Sequence, residues 1–376
     1  MTNVVISGTG LYHPKTSVSN DELVVAFNAF VDKWNAEHAA DIEAGIVAPR
    51  QYSDPAFIEK ASGIKSRHII EGSGILDPDR MAPRLPEGAL GDDENPSLQA
   101  RWSLEAAEGA LKQAGVKGED IDLVICSAAV LQRFFPAISI EVQKHIGAKG
   151  AAFDMVAACS AATFGLLNGI MAIKTGMAKR VLVVNPEIFT TMVNYRDRDS
   201  HFIFGDVCMA VVLEAEDVAT APEQWLVEDT KWETRFSSNI RSEFGPLTRL
   251  ADDAMFDQEM YFVQQGRKVF KELLPMVCEF IASQIEDQNM TVTDLQRMWL
   301  HQANINMNMY AAKKLLGREP THKDAPVVLD TFGNTAGAGS VLAFHLHRDD
   351  LNSGDAGIIC SFGAGYSIGS LMVRKK

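Results

Sequence analysis

The sequence predicts an α/β fold built from two related halves, and three observations lead there. Apolar runs rich in Val, Ile and Leu alternate with longer helical patterns, the chain repeats itself at an offset of 174 residues, and small-residue turns in both halves open into helices. The runs fall at 3–7, 121–127, 181–185, 207–213, 297–301, 326–330, 356–361 and 368–373. Their apolar residues follow one another rather than alternate with polar ones, which places them in sheets covered by helices on both faces.

The duplication appears when Asp120 is set on Asp294: DIDLVICSAA then tracks DLQRMWLHQA and brings His301 opposite Ser127. At an offset of 175, Cys159 opens CSAATFGLLNGIMAIKTG and Asn334 opens NTAGAGSVLAFHLHRDDL, each a turn running into a helix. Setting Phe204 on Phe362 drops the offset to 158, so the first half carries about 17 extra residues, roughly NPEIFTTMVNYRDRDSHF. A second irregular stretch, 71–100, holds four prolines, four glycines and the acidic run Asp92, Asp93, Glu94, and predicts a long surface loop or lid. The halves divide at about residue 220, with 1–220 carrying Cys159 and both insertions and 221–376 carrying His301 and Asn334.

Bulk properties exclude several classes. A chain of 376 residues that is 47% hydrophobic buries a large core, which argues against disorder. Its net charge of −14 argues against nucleic acid or an anionic membrane as the main partner. The five cysteines, 126, 159, 208, 278 and 360, are odd in number and lack C-x-x-C spacing, which points to a reducing cytoplasm rather than to disulfides or zinc. MTNVVISGTG has none of the blocks of a signal peptide. Residues 155–173 carry no charge, but Cys159, Ser160, Thr163, Asn168 and two glycines make them a strand end and a buried helix rather than a membrane span.

Position singles out Cys159. It follows the apolar run AAFDMVAA and precedes an alanine-rich helix, where helix N-terminal N–H groups stabilise a thiolate. Cys126, Cys208, Cys278 and Cys360 read as small buried hydrophobes, the commonest fate of a free cysteine. His301 ends the run RMWLH and opens the polar set Gln302, Ala303, Asn304, where a buried strand releases into a loop. A lone His there is more often structural than catalytic, but a pseudo-twofold that brings the two equivalent turns together lets Cys159, His301 and Asn334 share one site. No nucleotide cofactor is indicated: Gly8-Thr9-Gly10 meets His13 where a third glycine is required, and Gly363-Ala364-Gly365 lies too near the C-terminus. No metal is indicated either, since His345 and His347 are two apart on a predicted helix and face different ways.

Through FDMVAACSAATFGL around Cys159, HQAN from His301, GNTAGAGS around Asn334 and the terminal FGAGYSIGSLMVR, the sequence resembles the β-ketoacyl-acyl carrier protein synthase III family over nearly its whole length. The resemblance implies a thiolase-like duplicated fold, layered αβαβα, with two mixed sheets and buried central helices. It implies decarboxylative condensation of an acyl primer with malonyl-acyl carrier protein, with Cys159 as acyl carrier and His301 and Asn334 binding the malonyl carbonyl. Asn334 sets the chain apart from related condensing enzymes that carry Cys or His there. The backbone N–H groups of Cys159 and Ala364 are implied as the oxyanion hole.

The resemblance also implies a homodimer, in which Phe135 crosses to the partner's acyl tunnel, and carrier-protein docking at Lys313 and Lys314. Phe189, Met192 and Phe204 join Phe135 as expected tunnel residues, although the insert that holds the first two either shapes the tunnel or thickens the dimer interface. Three departures fall at the coenzyme A entrance. Phe57 stands where the family often has tryptophan, Ala61 where an arginine follows it, and Asn306 where HQAN usually runs into arginine. The added length near 30–50, 71–100 and 186–203 resembles the long subgroup that primes with a medium-chain acyl group such as octanoyl. The alternative is a family member that passes the Cys159 acyl group to an alcohol, amine or second acyl chain without decarboxylation; a non-catalytic binding protein of the same fold is the remaining reading.

Overall fold

A computed structural model of the protein describes residues 2–250 and 258–376. The first half runs β1 (Val4–Tyr12), β2 (Ser17–Ser19), α1 (Asn20–Glu37), α2 (Ala39–Glu43), α3 (Pro55–Ser62), β3 (Ser66–His68) and α4 (Leu98–Ala114). It continues β4 (Leu123–Ala128), α5 (Ile138–Ile146), β5 (Ala151–Val156), α6 (Ala161–Lys174), β6 (Arg180–Glu187) and β7 (Val207–Ala215). The second half runs β8 (Trp225–Ser237), β9 (Ile240–Arg241), β10 (Val263–Gln264), α7 (Gly266–Asp287), β11 (Leu295–Leu300) and α8 (Ile305–Leu316). It closes with α9 (Leu329–Phe332), α10 (Gly339–Leu346), β12 (Ala356–Gly363) and β13 (Gly365–Lys375).

Local chemistry sets many of these boundaries. Ser19 and Glu22 form a capping box at the start of α1, satisfying N–H groups that the first turn cannot pair. Asp54 caps α3 with Pro55 at its first position, and Gly63 ends it at φ 84°, a left-handed conformation that favours glycine. The Gly8-Thr9-Gly10 run also finds its explanation here. A Cβ on Gly8 or Gly10 would lie 2.1 Å from the Ala110 carbonyl oxygen or 1.9 Å from that of Ala106, so these glycines let β1 lie directly on α4.

β2 pairs with β3 and β9 with β10 in two small ribbons, and the other nine described strands form one mixed sheet, ordered β11-β12-β13-β8-β1-β7-β6-β4-β5. The two expected sheets are its two mixed halves, joined where β1 meets β8 by two residue pairs, Val5 with Leu226 and Ile6 with Trp225. Helices α6 and α10 touch each other, with α6 packed on β4, β6 and β7 and α10 on β11 and β12. Both are apolar around most of their circumference, as a helix enclosed on all sides must be.

The duplication holds strand by strand: β4 with β11, β6 with β12 and β7 with β13, while the turns Ala158–Ser160 and Ala336–Ala338 precede α6 and α10. Cys126 pairs with Val184 and Leu300 with Cys360, which keeps the 174-residue register that sets His301 against Ser127. Two sequence expectations shift. The turns correspond at an offset of 178, so the counterpart of Cys159 is Gly337, and Asn334 lies three residues before it. Phe362 lies within β12, whereas Phe204 sits on the long connection from β6 to β7; the second half makes that connection with Ala364 alone, which is where the first half's extra residues are accommodated.

Residues 326–330 are not a strand. Pro326 has no N–H to give a ladder, and the Gln302 side chain bonds the Pro326 carbonyl at 3.2 Å and the Val328 N–H at 3.0 Å in place of a neighbouring strand. β5 is an edge strand rather than a buried one, with Phe153 and Val156 exposed. The stretch 71–97 is irregular, as expected of a long loop. Among the described residues no helix is long and apolar enough to cross a membrane.

Candidate active site

The Cys159 turn begins with a strained residue. Ala158 has φ 44°, and its counterpart Ala336 has φ 47°, a region that costs an L-residue about 1 kcal/mol. Cys159 is buried, as are the other four cysteines, and all five are free thiols; burial therefore does not distinguish it. Its neighbour does: a Cβ on Gly363, at the end of β12, would lie 2.4 Å from Cys159 Cβ and 2.8 Å from Sγ.

Burial pushes the Cys159 thiol up to about 11, against hydrogen bonding from the backbone N–H groups of Ala364 and Cys159, which pulls it down. The helix start expected to stabilise a thiolate is thus opposed by the desolvation around it. The same two N–H groups are the pair expected to receive an oxyanion.

His301 leaves the end of β11 with its N–H bonded to the Cys360 carbonyl at 2.8 Å. Its ring meets Phe362 edge to face at 5.5 Å, and Phe362 directly precedes Gly363. Burial lowers the His301 pKa to about 4, so near neutral pH the ring is an uncharged donor and acceptor. Nδ1 is buried without a hydrogen-bond partner.

Asn334 is fixed from both sides. Its N–H bonds the Ile203 carbonyl at 2.8 Å, its carbonyl accepts from Gly205 N–H at 3.1 Å, and its Oδ1 accepts from Ala336 N–H at 3.0 Å. With Oδ1 engaged, the amide NH₂ is the group left to donate. Short runs of neighbouring residues link the three. Cys159 touches Gly363, Gly363 adjoins the Phe362 ring that faces His301, and the Asn334 turn packs at Gly337 against the Ala158 carbonyl. Gln302, next to His301, packs against Gly339 at the start of α10 and closes the circuit.

Three of the four expected tunnel residues gather beside Asn334. Phe204 bridges to Asn334, Phe189 lies 4.3 Å from the Phe204 ring, and the Met192 carbonyl accepts from Phe262 N–H at 2.8 Å. Phe262, whose ring is 4.8 Å from Phe204, was not apparent in the sequence because no apolar periodicity surrounds it. Phe135 stands apart, 83% exposed beside exposed Phe134.

At the expected coenzyme A entrance, two of the departures touch. Asn306 Nδ2 bonds the Ala61 carbonyl at 3.4 Å, and Asn304, which caps α8, bonds the same oxygen at 2.7 Å. One turn earlier on α3, the Arg198 guanidinium lies 4.2 Å over the Phe57 ring. Arg198 belongs to the insert and is a residue that sequence reasoning passed over. Lys313 and Lys314 are exposed in the last turn of α8, where they also suit the helix dipole, and Lys313 pairs with Glu319. His345 bonds Thr9 at 2.7 Å and His347 packs on His322, so the two histidines diverge.

Residues 153–233 match 3-oxoacyl-[acyl-carrier-protein (ACP)] synthase III, and residues 285–375 match the C-terminal part of that family. The chain is 48% identical to a β-ketodecanoyl-[acyl-carrier-protein] synthase of Pseudomonas aeruginosa, across 93% of this chain and 99% of that one. The chain belongs to the β-ketoacyl-acyl carrier protein synthase III family. A family member from Brucella anthropi is 29% identical over 85% of this chain and 90% of its own. The crystal structure of the P. aeruginosa PAO1 synthase III superposes with a TM-score of 0.75 at 22% identity, covering 99% and 98% of the two chains, a likeness of fold. The protein is accordingly a condensing acyltransferase of this family.

Proposed function

We propose that this synthase takes a medium-chain acyl group from coenzyme A onto Cys159 and condenses it with malonyl-acyl carrier protein to give a β-ketoacyl-acyl carrier protein. The observation that carries this is the junction where the Cys159 turn, Gly363, the His301 strand end and the Asn334 turn meet. The 48% identity to a β-ketodecanoyl synthase supports the chain-length class.

In the first half-reaction the Cys159 sulfur attacks the acyl thioester, the thiol proton leaves with coenzyme A, and the N–H groups of Cys159 and Ala364 hold the oxyanion. In the second, a nitrogen of neutral His301 and the Asn334 NH₂ donate to the malonyl thioester carbonyl. Carbon dioxide departs, the electron pair left behind forms an enolate on that carbonyl, and its carbon attacks the Cys159 thioester. The thiolate leaves and regains a proton. Phe189, Met192 and Phe204 line the acyl tunnel, Phe57 and Asn306, with Arg198, border the coenzyme A entrance, and Lys313 and Lys314 receive the acidic carrier protein. The reaction belongs to the cytoplasm.

A panel of acyl-coenzyme A primers with radiolabelled malonyl-acyl carrier protein tests this directly. Octanoyl should give the fastest release of labelled carbon dioxide. Acetyl as the fastest primer would overturn the chain-length assignment, and acyl transfer without carbon dioxide release would favour the alternative acceptor chemistry.

The enzyme acts as a homodimer in this reading. Exposed Phe134 and Phe135, with the open edge of β5 and its exposed Phe153 and Val156, support it, because an apolar strand edge left in water invites pairing. Phe135→Asp should convert dimer to monomer in sedimentation equilibrium at micromolar concentration. A dimer of unchanged affinity removes Phe135 from the interface.

A further inference from the structure

The pseudo-twofold crosses over at the site. Each helix-opening turn is faced by a strand end of the other half: Ala158–Ser160 by the end of β12, and Ala336–Ala338 by the end of β6. In the first pairing a cysteine faces a glycine, Cys159 with Gly363. In the second, Gly337 stands in the place of Cys159 and Glu187 in the place of Gly363. A Cβ on Gly337 would lie 2.6 Å from Glu187 Oε1 and 2.9 Å from the Ala158 carbonyl oxygen, so the carboxyl occupies the room that the second turn leaves open, beside the contact of that turn with the peptide before the nucleophile.

Glu187 is fully buried. Its carboxyl accepts from Ala129 N–H at 3.0 Å and from Gly337 N–H at 3.2 Å. The titratable groups facing it are Cys126 from β4, Cys208 from β7, Asp206 just before β7, and Cys159; none of these is a cation. A glutamine could satisfy the same two N–H groups without the cost of burying an acid. The Gly337 N–H that Glu187 holds is one peptide beyond the Ala336 N–H that anchors the Asn334 amide.

We propose that Glu187 is a positioning residue for the condensing site: its carboxyl ties the Gly337 N–H of the Asn334 turn to the Ala129 N–H just after β4, and so holds the turn of one half in place on the other. The proposal rests on Cys159 being the acylated nucleophile. Burial raises Glu187 to about 8, below the value of about 11 for Cys159, so as pH rises the carboxyl becomes charged first and opposes the thiolate. Removing that charge must therefore move thiol ionisation to lower pH.

The test is the pH dependence of iodoacetamide alkylation at Cys159, read by peptide mass in the full-length protein and its Glu187→Gln variant. The midpoint should fall, because the variant has no carboxylate to oppose the thiolate. Carbon dioxide release from malonyl-acyl carrier protein should fall more than acylation of Cys159 in Glu187→Ala, which removes the acceptor that holds the Asn334 turn, and less in Glu187→Gln, which keeps one. An unchanged midpoint in folded Glu187→Gln, or an equal fall of both activities in folded Glu187→Ala, overturns the proposal. Should Glu187→Gln not fold, the unmodified protein serves: its alkylation profile should bend where the carboxyl titrates, and a single-step profile overturns the proposal equally. Failure of any acyl thioester to load Cys159 in the unmodified protein would instead sink the functional reading, and the alkylation profile would still report on Glu187.

Discussion

His301→Ala should lower malonyl-dependent condensation about a hundredfold or more, the effect of losing one preorganised donor worth about 3 kcal/mol, while acyl loading of Cys159 continues. The selectivity follows from what His301 is. Burial holds its pKa near 4, so at neutral pH the ring carries no charge with which to stabilise a thiolate across the site. In the proposed reaction its use is as a hydrogen-bond donor to an enolate oxygen that exists only in the second half-reaction. The N–H groups that act on the Cys159 sulfur come from Ala364 and Cys159 itself, and the substitution leaves both in place. Intact-mass analysis after incubation with octanoyl-coenzyme A measures loading, and carbon dioxide release measures condensation. Equal loss of both would mean that His301 also removes the thiol proton, and its role would have to be redrawn.

The sequence made this site legible through its duplication more than through any single residue. Cys159 could be separated from four equally buried cysteines only because it opens a turn that recurs in the second half. His301 stood out because the repeat set it at a strand exit. What the repeat could not supply was register within the turns. Small residues such as Ala, Gly and Ser slide against one another without penalty in a pattern comparison, so Asn334 was set on Cys159 when the true counterpart is Gly337.

The same limit hid Glu187. It lies in the NPE that opens the insert, which the repeat marks only as extra length, and the crossing of the halves reveals that this strand end is buried. The 326–330 run misled for a different reason. It has strand composition, but its hydrogen bonds go to the Gln302 side chain, and no apolar pattern encodes such a partner. At the thiol, a sequence can place a helix start but does not show the desolvation that works against its N–H groups.

Gly363→Ala should abolish acyl loading of Cys159, with a loss of at least about a hundredfold, in a protein that still folds. The added methyl would sit 2.4 Å from Cys159 Cβ and 2.8 Å from Sγ, closer than real side chains approach, and neither partner is the far end of a flexible chain. Gly363 is buried at the end of β12, paired with Ser367 of β13, and bounded on the next residue by the Ala364 N–H that acts on the sulfur. Relief must therefore come from moving the Cys159 turn, the hairpin or both, and either motion parts the sulfur from its N–H donor. Overpacking of this kind costs about 1–3 kcal/mol, which a domain of this size withstands. A thermal melt checks that the variant is folded, and peptide mass after incubation with octanoyl-coenzyme A reads the loading. A folded Gly363→Ala variant that loads at the ordinary rate would show that attack at Cys159 tolerates a shifted turn, and the close approach of the two halves at Gly363 would then serve packing alone.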